Sequence, residues 1–453
     1  MRDMTNGSPL KLILRFAFPL LMGNILQQLY NIADAVIVGR FLGANALAAV
    51  GATSSVQFLI LGFCIGACTG FCVPIAQRFG ARDYSQMRKL VFNSIFLTAG
   101  IGVAVTTLCV LLCRTILHLL STPADIWNDT YIYILVIFLG IPLTLLYNMT
   151  AGVLRAIGDS FTPFLFLAVS TVLNIVADWF CIVILQWGCF GAAIATVGSQ
   201  ALSGILCLLV IIRRYKIFRL QAEERQIDPK MAGELLLMGI PMGLQFSVTA
   251  IGSMVLQSAD NALGSMYASA YTAAIRIKMF VMCPFDAVAT GAATFCSQNY
   301  GAHEAGRVRR GYGIGIAVSS VYGCVAGACL ILFGRRLCMI FLPASEKTIL
   351  DAAALYLRTL GPFYSILGLL NVSRITVQAL GGAARAMLSG VMEMIARISV
   401  VMLLVPLHGF VAVCYADPAA WMAANLYIVP TCLYMIFKLT DRAKCKKRLV
   451  IHY

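Results

Sequence analysis

The sequence predicts an all-α polytopic membrane protein, with twelve transmembrane helices arranged in two pseudo-symmetric six-helix bundles. Three observations predict this fold class: the composition, the spacing of apolar runs and an internal repeat. Of the 453 residues, 60% are hydrophobic and only 12% are charged, and the mean hydropathy is +0.87. A soluble domain with a polar surface does not reach these values. The chain is therefore expected to lie in a bilayer.

The apolar runs have the length that a membrane helix requires. Each run is roughly 20 residues or more and is bounded by charges or by Gly and Pro clusters, which suits one crossing of a bilayer. The first run is too long for a cleavable signal peptide and is expected to be a spanning helix. The twelve predicted spans are 10–38, 47–76, 90–113, 131–153, 163–186, 189–212, 234–258, 266–295, 311–333, 352–378, 386–407 and 411–438.

The basic residues indicate how the chain is oriented. If the N-terminus is cytoplasmic, 24 of the 34 Lys and Arg residues fall in inner loops and tails, and five fall in outer loops. This is the positive-inside asymmetry, and it predicts a multi-pass protein of the cell inner (cytoplasmic) membrane with both termini in the cytoplasm. The net charge of +15 then needs no nucleic-acid partner, and the basic tail can contact anionic lipid.

An internal repeat relates the two halves of the chain. The motif Gln-x-x-Gly-Ala ends span two at Gln77–Ala81 and span eight at Gln298–Ala302, an offset of 221 residues. Asn148 in span four and Asn371 in span ten match at an offset of 223. Matches at nearly constant offset across six spans predict two bundles of the same orientation.

The repeat sets the predicted domain boundaries. They are an N-terminal bundle at 1–212, a cytoplasmic linker at 213–233, a C-terminal bundle at 234–440 and a basic cytoplasmic tail at 441–453. Transporters built from two such halves hold their substrate between them and expose it to each side in turn. The architecture favours a secondary transporter that functions as a monomer.

Two carboxylates lie within the predicted spans of the first bundle. With a rise of about 1.5 Å per residue, Asp34 is about 9 Å inside Arg40 and Asp178 about 14 Å inside Trp187. A carboxylate at membrane depth is costly unless it is protonated, paired or ion-bound, and such residues usually mark a transport or proton pathway. The alternative is a structural carboxylate that is hydrogen-bonded within the bundle.

Other oxygen-bearing side chains are expected at the same depth. Thr196 is about 12 Å inside Gly188, and Asn174 is one helical turn from Asp178 on the same helix face. Two carboxylates with an amide and a hydroxyl suit a proton or a hard cation such as Na⁺. Asn148 is a further candidate for ion coupling, although it falls nearer the inner half of its span.

Several motifs, taken together, carry a family resemblance that covers essentially the whole chain. They are the first helix from Pro19 through Asp34 to Gly39, the two Gln-x-x-Gly-Ala loops, Leu154–Asp159, Asn174-x-x-x-Asp178 and Ala416–Trp421. In these motifs the chain resembles the multidrug and toxic compound extrusion family, and within it the bacterial branch of the DNA-damage-inducible F proteins.

The resemblance implies a function and an ion site. It implies an antiporter that exports amphipathic or cationic organic compounds, such as drugs and toxins, in exchange for H⁺ or Na⁺ by alternating access. It also implies that the coupling ion is held by Asp34, Asn174, Asp178 and Thr196. A flippase of polyprenyl-linked saccharides, from the same superfamily, is the alternative, although such a protein is expected to line its cavity with several arginines.

The second bundle lacks counterparts of the two carboxylates. Leu256 or Gln257 aligns with Asp34, and Val400 or Val401 aligns with Asp178, so coupling is expected in the first bundle. Glu393 and Arg397 are four residues apart on one helix and most simply form a buried ion pair; the alternative is that they line the substrate path. The candidates for the substrate cavity are Gln27, Asn31, Met242, Gln245, Met254, Gln257, Arg276, Glu393 and Arg397.

Other chemistries find little support in the sequence. The four histidines lie in loops or at span ends, which gives no metal cluster, and no Walker-type phosphate loop is present to support ATP drive. The sixteen cysteines are scattered through apolar segments and are expected to be small buried residues. We expect no cofactor and no enzymatic activity.

Overall fold

The computed structural model describes residues 2–120 and 122–451, with side chains described up to residue 441. The described residues are almost entirely helical, which confirms the predicted all-α fold. The helices are α1 Pro9–Phe41, α2 Ala44–Gly80, α3 Tyr84–Leu119, α4 Trp127–Leu139, α5 Ile141–Ala156, α6 Phe161–Trp179, α7 Gly188–Arg214, α8 Pro229–Ala262, α9 Ser265–Gly301, α10 Ala305–Cys338, α11 Lys347–Leu360, α12 Tyr364–Ala379, α13 Ala383–Leu403, α14 Val405–His408 and α15 Phe410–Ile451.

The number of membrane spans agrees with the sequence prediction. In the described part of the chain, eleven helical segments are long and apolar enough to cross a bilayer, and the bent pair α4 and α5 brings the number to twelve. The helices extend past the predicted spans, as α3 does at both ends of the predicted run 90–113. Polar residues continue the helix there beyond its apolar part.

Two spans are interrupted at equivalent positions of the repeat. Between α4 and α5 the chain bends by 44° at Gly140, which is followed two residues later by Pro142. Between α11 and α12 a short turn of 3₁₀ helix, Gly361–Phe363, contains Pro362. Proline removes a helical hydrogen bond and crowds the preceding turn, so it explains both interruptions.

The chain divides into two compact units whose membership differs from a simple division of the sequence. Unit 1 contains the residues up to Asp3 together with Met22–Gly243, and unit 2 contains Met4–Leu21 together with the chain from Leu244 onward. Helices α1 and α8 are thus each divided between the units near their middle. The bundle boundaries predicted from the sequence remain a prediction. They mark the two copies of the internal repeat, whereas these units are defined by which residues pack together.

Each unit has its own helical core. In unit 1, α7 packs against α4, α5 and α6, and α2 packs against α5. In unit 2, α10 packs against α9 and α12, and α13 packs against α15. The buried surfaces are apolar and include Phe71 in unit 1 and Trp421 in unit 2.

The predicted linker, residues 213–233, is held against α3 within unit 1. Glu224 lies in a short turn, Ala222–Glu224, where Arg88 donates hydrogen bonds of 2.6 Å to each of its carboxylate oxygens. These bonds from Arg88 lower the pKa of Glu224 to about 2. The predicted basic tail, 441–453, lies outside the described side chains except for Asp441.

A glycine contact between α2 and α8 leads to a prediction about stability. A Cβ atom added to Gly70 would lie 2.6 Å from the Gly239 Cα atom and 2.7 Å from the Met238 carbonyl oxygen, so the helix backbones would have to separate. We expect Gly70→Ala to lower the stability of the protein by about 1–3 kcal/mol, measured as a lower melting temperature in detergent.

Gly51, on the same helix, is the matched control. A Cβ atom added there meets no atom within 4 Å. Gly51→Ala should therefore leave the melting temperature unchanged or raise it slightly, because alanine favours a helix by about 1 kcal/mol over glycine. Equal effects of the two substitutions would contradict the close approach of α2 and α8.

Candidate functional site

The structure brings the two carboxylates of the first bundle together. Asp34 lies on α1 seven residues before its end, and Asp178 is the second-to-last residue of α6. Their carboxyl groups are within hydrogen-bonding reach of each other. Asp178 is completely buried, and so is the Oδ1 atom of Asp34. The two residues that the sequence placed at a similar depth on separate helices thus lie near each other.

Three of the four oxygens of the pair lack a hydrogen-bond donor among the described residues. Neither oxygen of Asp178 has one within reach among the described residues, and the same is true of Asp34 Oδ1. Two ionised carboxylates offer only acceptors, so they can bond to each other only when they share a proton. Unpaired charges that are buried this deeply are costly. The geometry therefore calls for a proton or a cation at this position.

Asn174 shares this environment. It is 1% exposed and lies one helical turn before Asp178, on the same face of α6. Neither its Oδ1 nor its Nδ2 atom has a partner among the described residues. Because a buried amide without hydrogen bonds costs free energy, Asn174 is available to an ion or to a carboxylate.

Thr196, on α7, is connected to α1 through a tyrosine that the sequence analysis did not single out. Its hydroxyl oxygen lies 3.0 Å from the hydroxyl oxygen of Tyr30, which is one helical turn before Asp34 on α1. The spacing of four residues from Asp34 to Tyr30 is visible in the sequence. It could have identified Tyr30.

A second tyrosine near the carboxylates was also missed. Tyr133, on α4, is 4% exposed and lies close enough to Asp34 and Asp178 to interact electrostatically with both carboxyl groups. Its hydroxyl lies near the Gln57 side chain of α2. No sequence pattern indicates this, because a tyrosine on an apolar span is usually a packing residue. We call the set Asp34, Asp178, Asn174, Thr196, Tyr30 and Tyr133 the carboxylate cluster.

The structure does not place Asn148 in the carboxylate cluster. Its Nδ2 atom donates to the Thr144 carbonyl one turn earlier in α5, at 2.8 Å. Tyr133, a member of the cluster, lies fifteen residues before Asn148 on the same bent span, which corresponds to roughly 20 Å along the helix. Asn148 is a further candidate for ion coupling that falls nearer the inner half of its span, and the structure does not bring it to Asp34 and Asp178.

The candidates for a substrate cavity are placed differently from one another. On α1, Gln27 is half-buried and Asn31 is exposed. Met242 is 2% exposed and belongs to unit 1, although it was expected in the second bundle. Its burial removes it from a cavity lining.

The other candidates on α8 belong to unit 2. Gln245 is buried and accepts a 2.7 Å hydrogen bond from Gln378, which makes it a packing residue. Met254 and Gln257 are half-buried, and the Gln257 side chain donates to Asn261 at 2.9 Å.

Glu393 and Arg397 form a buried ion pair, with 2.8 Å between Glu393 Oε1 and Arg397 Nη2. They are 3% and 4% exposed, so they are not available to line a cavity. Arg374 donates to the other oxygen of Glu393 at 2.6 Å. The sequence offered two interpretations, a buried ion pair that holds helices together and a lining of the substrate path. The structure agrees with the buried ion pair.

The pair is part of a longer chain of charges. Arg397 also donates to Asp417 Oδ1 at 3.0 Å, and Asp417 is further bonded by Lys278 and by the Tyr356 hydroxyl. We call Lys278, Asp417, Arg397, Glu393 and Arg374 the ionic network. It joins α9, α12, α13 and α15 within unit 2.

Unit 2 also contains a buried carboxylate that the alignment of the repeats did not indicate. Asp260 lies on α8 one turn after Leu256 and is completely buried. Neither of its oxygens has a hydrogen-bond partner among the described residues. The positions of the second half that align with Asp34 and Asp178 carry no carboxylate, as expected. Asp260, one helical turn from the first of these positions, is nevertheless a buried carboxylate.

Arg276, the remaining candidate, does line a cavity. This cavity in unit 2 has a volume of about 590 Å³ and is bordered by α9 and by Phe341 and Leu342, which follow α10. Its α9 residues are Ser265, Ala268, Ser269, Thr272, Ala273 and Arg276.

The metal chemistry of the described residues is limited. The described cysteines are all free, and no group of three or more His, Cys, Asp or Glu residues there could hold a metal ion. The carboxylate cluster offers oxygen ligands from Asp34, Asp178, Asn174 and Thr196, which is the donor set that a hard ion such as Na⁺ prefers.

A protein-family model decides the family. The model, described as MatE, matches residues 19–180 and again residues 241–403, which is more than half of the chain. The chain belongs to the MatE family. The two matches begin 222 residues apart, in agreement with the internal repeat, and the resemblance to the extrusion family is confirmed at this level.

The chain is also similar to proteins named as probable multidrug resistance proteins. It is 28% identical to the "Probable multidrug resistance protein YpnP" of Bacillus subtilis, over 84% of each chain. It is 25% identical to the "Probable multidrug resistance protein NorM" of Thermotoga maritima, over 79% of this chain and 77% of the other.

Solved structures support the fold. A structure described as the outward-facing conformation of a multidrug resistance MATE family transporter has a TM-score of 0.90 with 23% identity, covering 96% of this chain and 98% of the other. A crystal structure of MATE in complex with MaL6 has a TM-score of 0.89, also with 23% identity, over 97% and 99% of the chains. These likenesses show that the chain has the fold of the two solved MATE structures, with eleven or twelve helical segments that could cross a membrane.

Proposed function

We propose that this MATE protein is a secondary active antiporter that exports amphipathic or cationic organic compounds in exchange for H⁺ or Na⁺. The observation that carries the proposal is the proximity of Asp34 and Asp178, because three of their four carboxyl oxygens are buried without a hydrogen-bond partner among the described residues. The names of the relatives, multidrug resistance proteins, support the class of substrate.

The carboxylate cluster has the properties that ion coupling requires. Close carboxylates in a medium of low dielectric constant cannot both stay ionised without a proton or a cation between them. Binding of the ion therefore changes the charge at the site. A cationic substrate competes with the coupling ion, because each of these two positive ligands binds favourably only when the other is absent.

The same proposal includes the orientation and the energy source. With both termini in the cytoplasm, the cluster lies in the outer half of the bilayer, and the ion enters from outside. One positive charge that moves inward through the full potential releases about 2.3 kcal/mol per 100 mV. The ion gradient then drives alternating access, in the inner membrane, with the monomer as the functional unit.

The structure weakens the case for the flippase. An oligosaccharide pyrophosphate would require a cluster of available basic groups, whereas Arg374 and Arg397 are occupied in the ionic network. Of the four arginines within the predicted spans of the second half, Arg276 and Arg358 are exposed.

The test is ethidium transport in everted membrane vesicles under an imposed pH gradient and, separately, an imposed sodium gradient. We expect the wild type to accumulate ethidium under one of the two gradients, and the effective gradient identifies the ion. Asp34→Asn should reduce the rate of ethidium transport at least about tenfold. The substitution removes the charge that binds the ion, and a loss of about 1.4 kcal/mol of stabilisation corresponds to a tenfold lower rate.

The matched control is Asp125→Asn, the same chemical change on an exposed loop residue. It should transport like the wild type. Wild-type transport by Asp34→Asn would contradict the proposal.

A further inference from the structure

A polar stripe follows α9 from its first residue into the cavity of unit 2. Ser265, Ser269, Thr272 and Arg276 are spaced by four, three and four residues, so they share one helix face. All four are exposed, and all four line the cavity of about 590 Å³. The stripe therefore presents three hydroxyl groups and one guanidinium group to a common space.

Arg276 differs from the three basic residues that belong to the ionic network of unit 2. Lys278, Arg374 and Arg397 each contact a carboxylate of the ionic network. Arg276 makes no ion pair with a described residue, and it is the charged member among the residues that line the cavity. Since residues two apart on a helix face opposite sides, Lys278 points to the network and Arg276 to the cavity.

The depth of Arg276 indicates that water reaches this cavity. Arg276 is eleven residues from the start of α9, which corresponds to about 16 Å along the helix axis. An arginine that faced lipid at that depth would be strongly disfavoured. An exposed guanidinium group there is compatible with a hydrated cavity that can also admit a solute.

The beginning of α9 adds to the positive character of the cavity. Gly264 precedes Ser265 with a φ of 112°, its position provides no side-chain cap, and the first turn carries no acidic residue. The first N–H groups of the helix and its dipole therefore favour a negative group near Ser265.

Comparison of the two repeats shows that the stripe belongs to unit 2. At an offset of 221 residues, α2 of unit 1 carries Ala44, Ala48, Gly51 and Ser55 at the equivalent positions. Unit 1 thus has a carboxylate pair and lacks the basic stripe.

The rest of the cavity wall is apolar. Phe341 and Leu342 face the stripe, with Ala268 and Ala273 beside it. A pocket of this size with apolar walls and a few convergent polar groups is the usual form of a small-molecule site. The combination suits a ligand with a ring system and one anionic group.

We infer that the cavity of unit 2 binds amphipathic anions, with Arg276 and the hydroxyl groups of α9 holding the anionic group and Phe341 and Leu342 contacting the apolar part. This inference rests on the proposed export function for its biological use, because it widens the substrate class to compounds that carry a carboxylate or a similar group. The binding itself requires no ion gradient.

The test is binding of 2-naphthoate and of its neutral analogue, 2-naphthamide, to the purified full-length protein in detergent, by isothermal titration calorimetry. We expect the wild type to bind 2-naphthoate at least tenfold more tightly than the amide. Arg276→Gln should lose this preference, and Arg276→Lys should keep part of it because the charge remains.

Arg336→Gln is the charge-matched control, since Arg336 is exposed at the end of α10 and does not line the cavity. It should bind both probes like the wild type. Ala268→Trp, which fills the cavity, should weaken both probes alike. Gel filtration and thermal melting confirm that each variant is folded.

Two results would overturn the inference: equal affinity of the wild type for the two probes, or an unchanged preference in Arg276→Gln. A competition arm with phosphatidylglycerol in nanodiscs distinguishes a lipid headgroup from a soluble anion, and displacement of 2-naphthoate by this lipid would support the site with lipid as its occupant. If the binding tests fail, the proposal of ethidium export still stands. If ethidium export fails, the binding of 2-naphthoate can still be measured. Failure of the inference can therefore be distinguished from failure of the proposed function.

Discussion

We expect Asp178→Asn to suppress gradient-driven export of ethidium while ethidium exchange continues. We expect this separation because asparagine keeps the shape and burial of Asp178 but can neither accept the coupling proton nor hold a cation by charge. Net export requires the ion to reset the transporter. Exchange of external for internal ethidium requires only the substrate-loaded protein to reorient.

The measurement uses proteoliposomes preloaded with ethidium. Net transport is followed under a pH or sodium gradient, and exchange is followed with radiolabelled ethidium at equal concentrations and without a gradient. Net transport should fall at least about tenfold, the effect of losing 1.4 kcal/mol or more of coupling. Exchange should stay within about twofold of the wild type.

Asp125→Asn again controls for the chemical change. If Asp178→Asn lost exchange together with net export, the residue would be needed for movement or folding rather than for coupling. Undiminished net export would contradict its role altogether.

Arg397→Met is expected to cause the largest loss of stability in unit 2. Arg397 is 4% exposed and bonds both Glu393 and Asp417. Removing it leaves two carboxylates buried with less compensation, and breaking a buried ion pair in this way costs about 3–5 kcal/mol. Thermal unfolding in detergent should show a clear decrease in melting temperature.

Arg335→Met provides the comparison. Arg335 forms an ion pair with Asp351 at 2.7 Å, but both side chains are substantially exposed. An exposed pair contributes about 0–1 kcal/mol, so this variant should melt close to the wild type. Equal shifts for the two variants would show that the ionic network does not stabilise unit 2.

The fold was largely predictable because lipid imposes a simple rule on sequence. A span must be apolar over roughly 20 residues and must satisfy its backbone internally, so the helices could be counted from composition. The interruption before Pro142 lies at the Gly140 position that the sequence marks by a Gly-Ile-Pro run. The division of α1 and α8 between two packing units could not be predicted, because hydropathy does not say which neighbour a helix contacts.

The candidate site was predictable only in part. Asp34 and Asp178 were recognisable because burying a carboxylate within a membrane span costs so much free energy that such a residue usually has a function. Tyr133 was not, because its proximity depends on the packing of α4. The inner position of Asn148 was already visible from its place along the span. Asp260 was missed since the repeats were compared position by position.

The most direct measurement of the central claim is the displacement of ions by substrate in the purified protein. Ethidium is added to the wild type in weakly buffered detergent solution, while released protons and bound ²²Na⁺ are followed. If Asp34 and Asp178 hold the coupling ion, ethidium binding must release protons or sodium, and the effect must vanish in Asp34→Asn and in Asp178→Asn, since such linkage is reciprocal. Ethidium binding to the wild type without release of either ion, or equal release from the variants, would contradict the account.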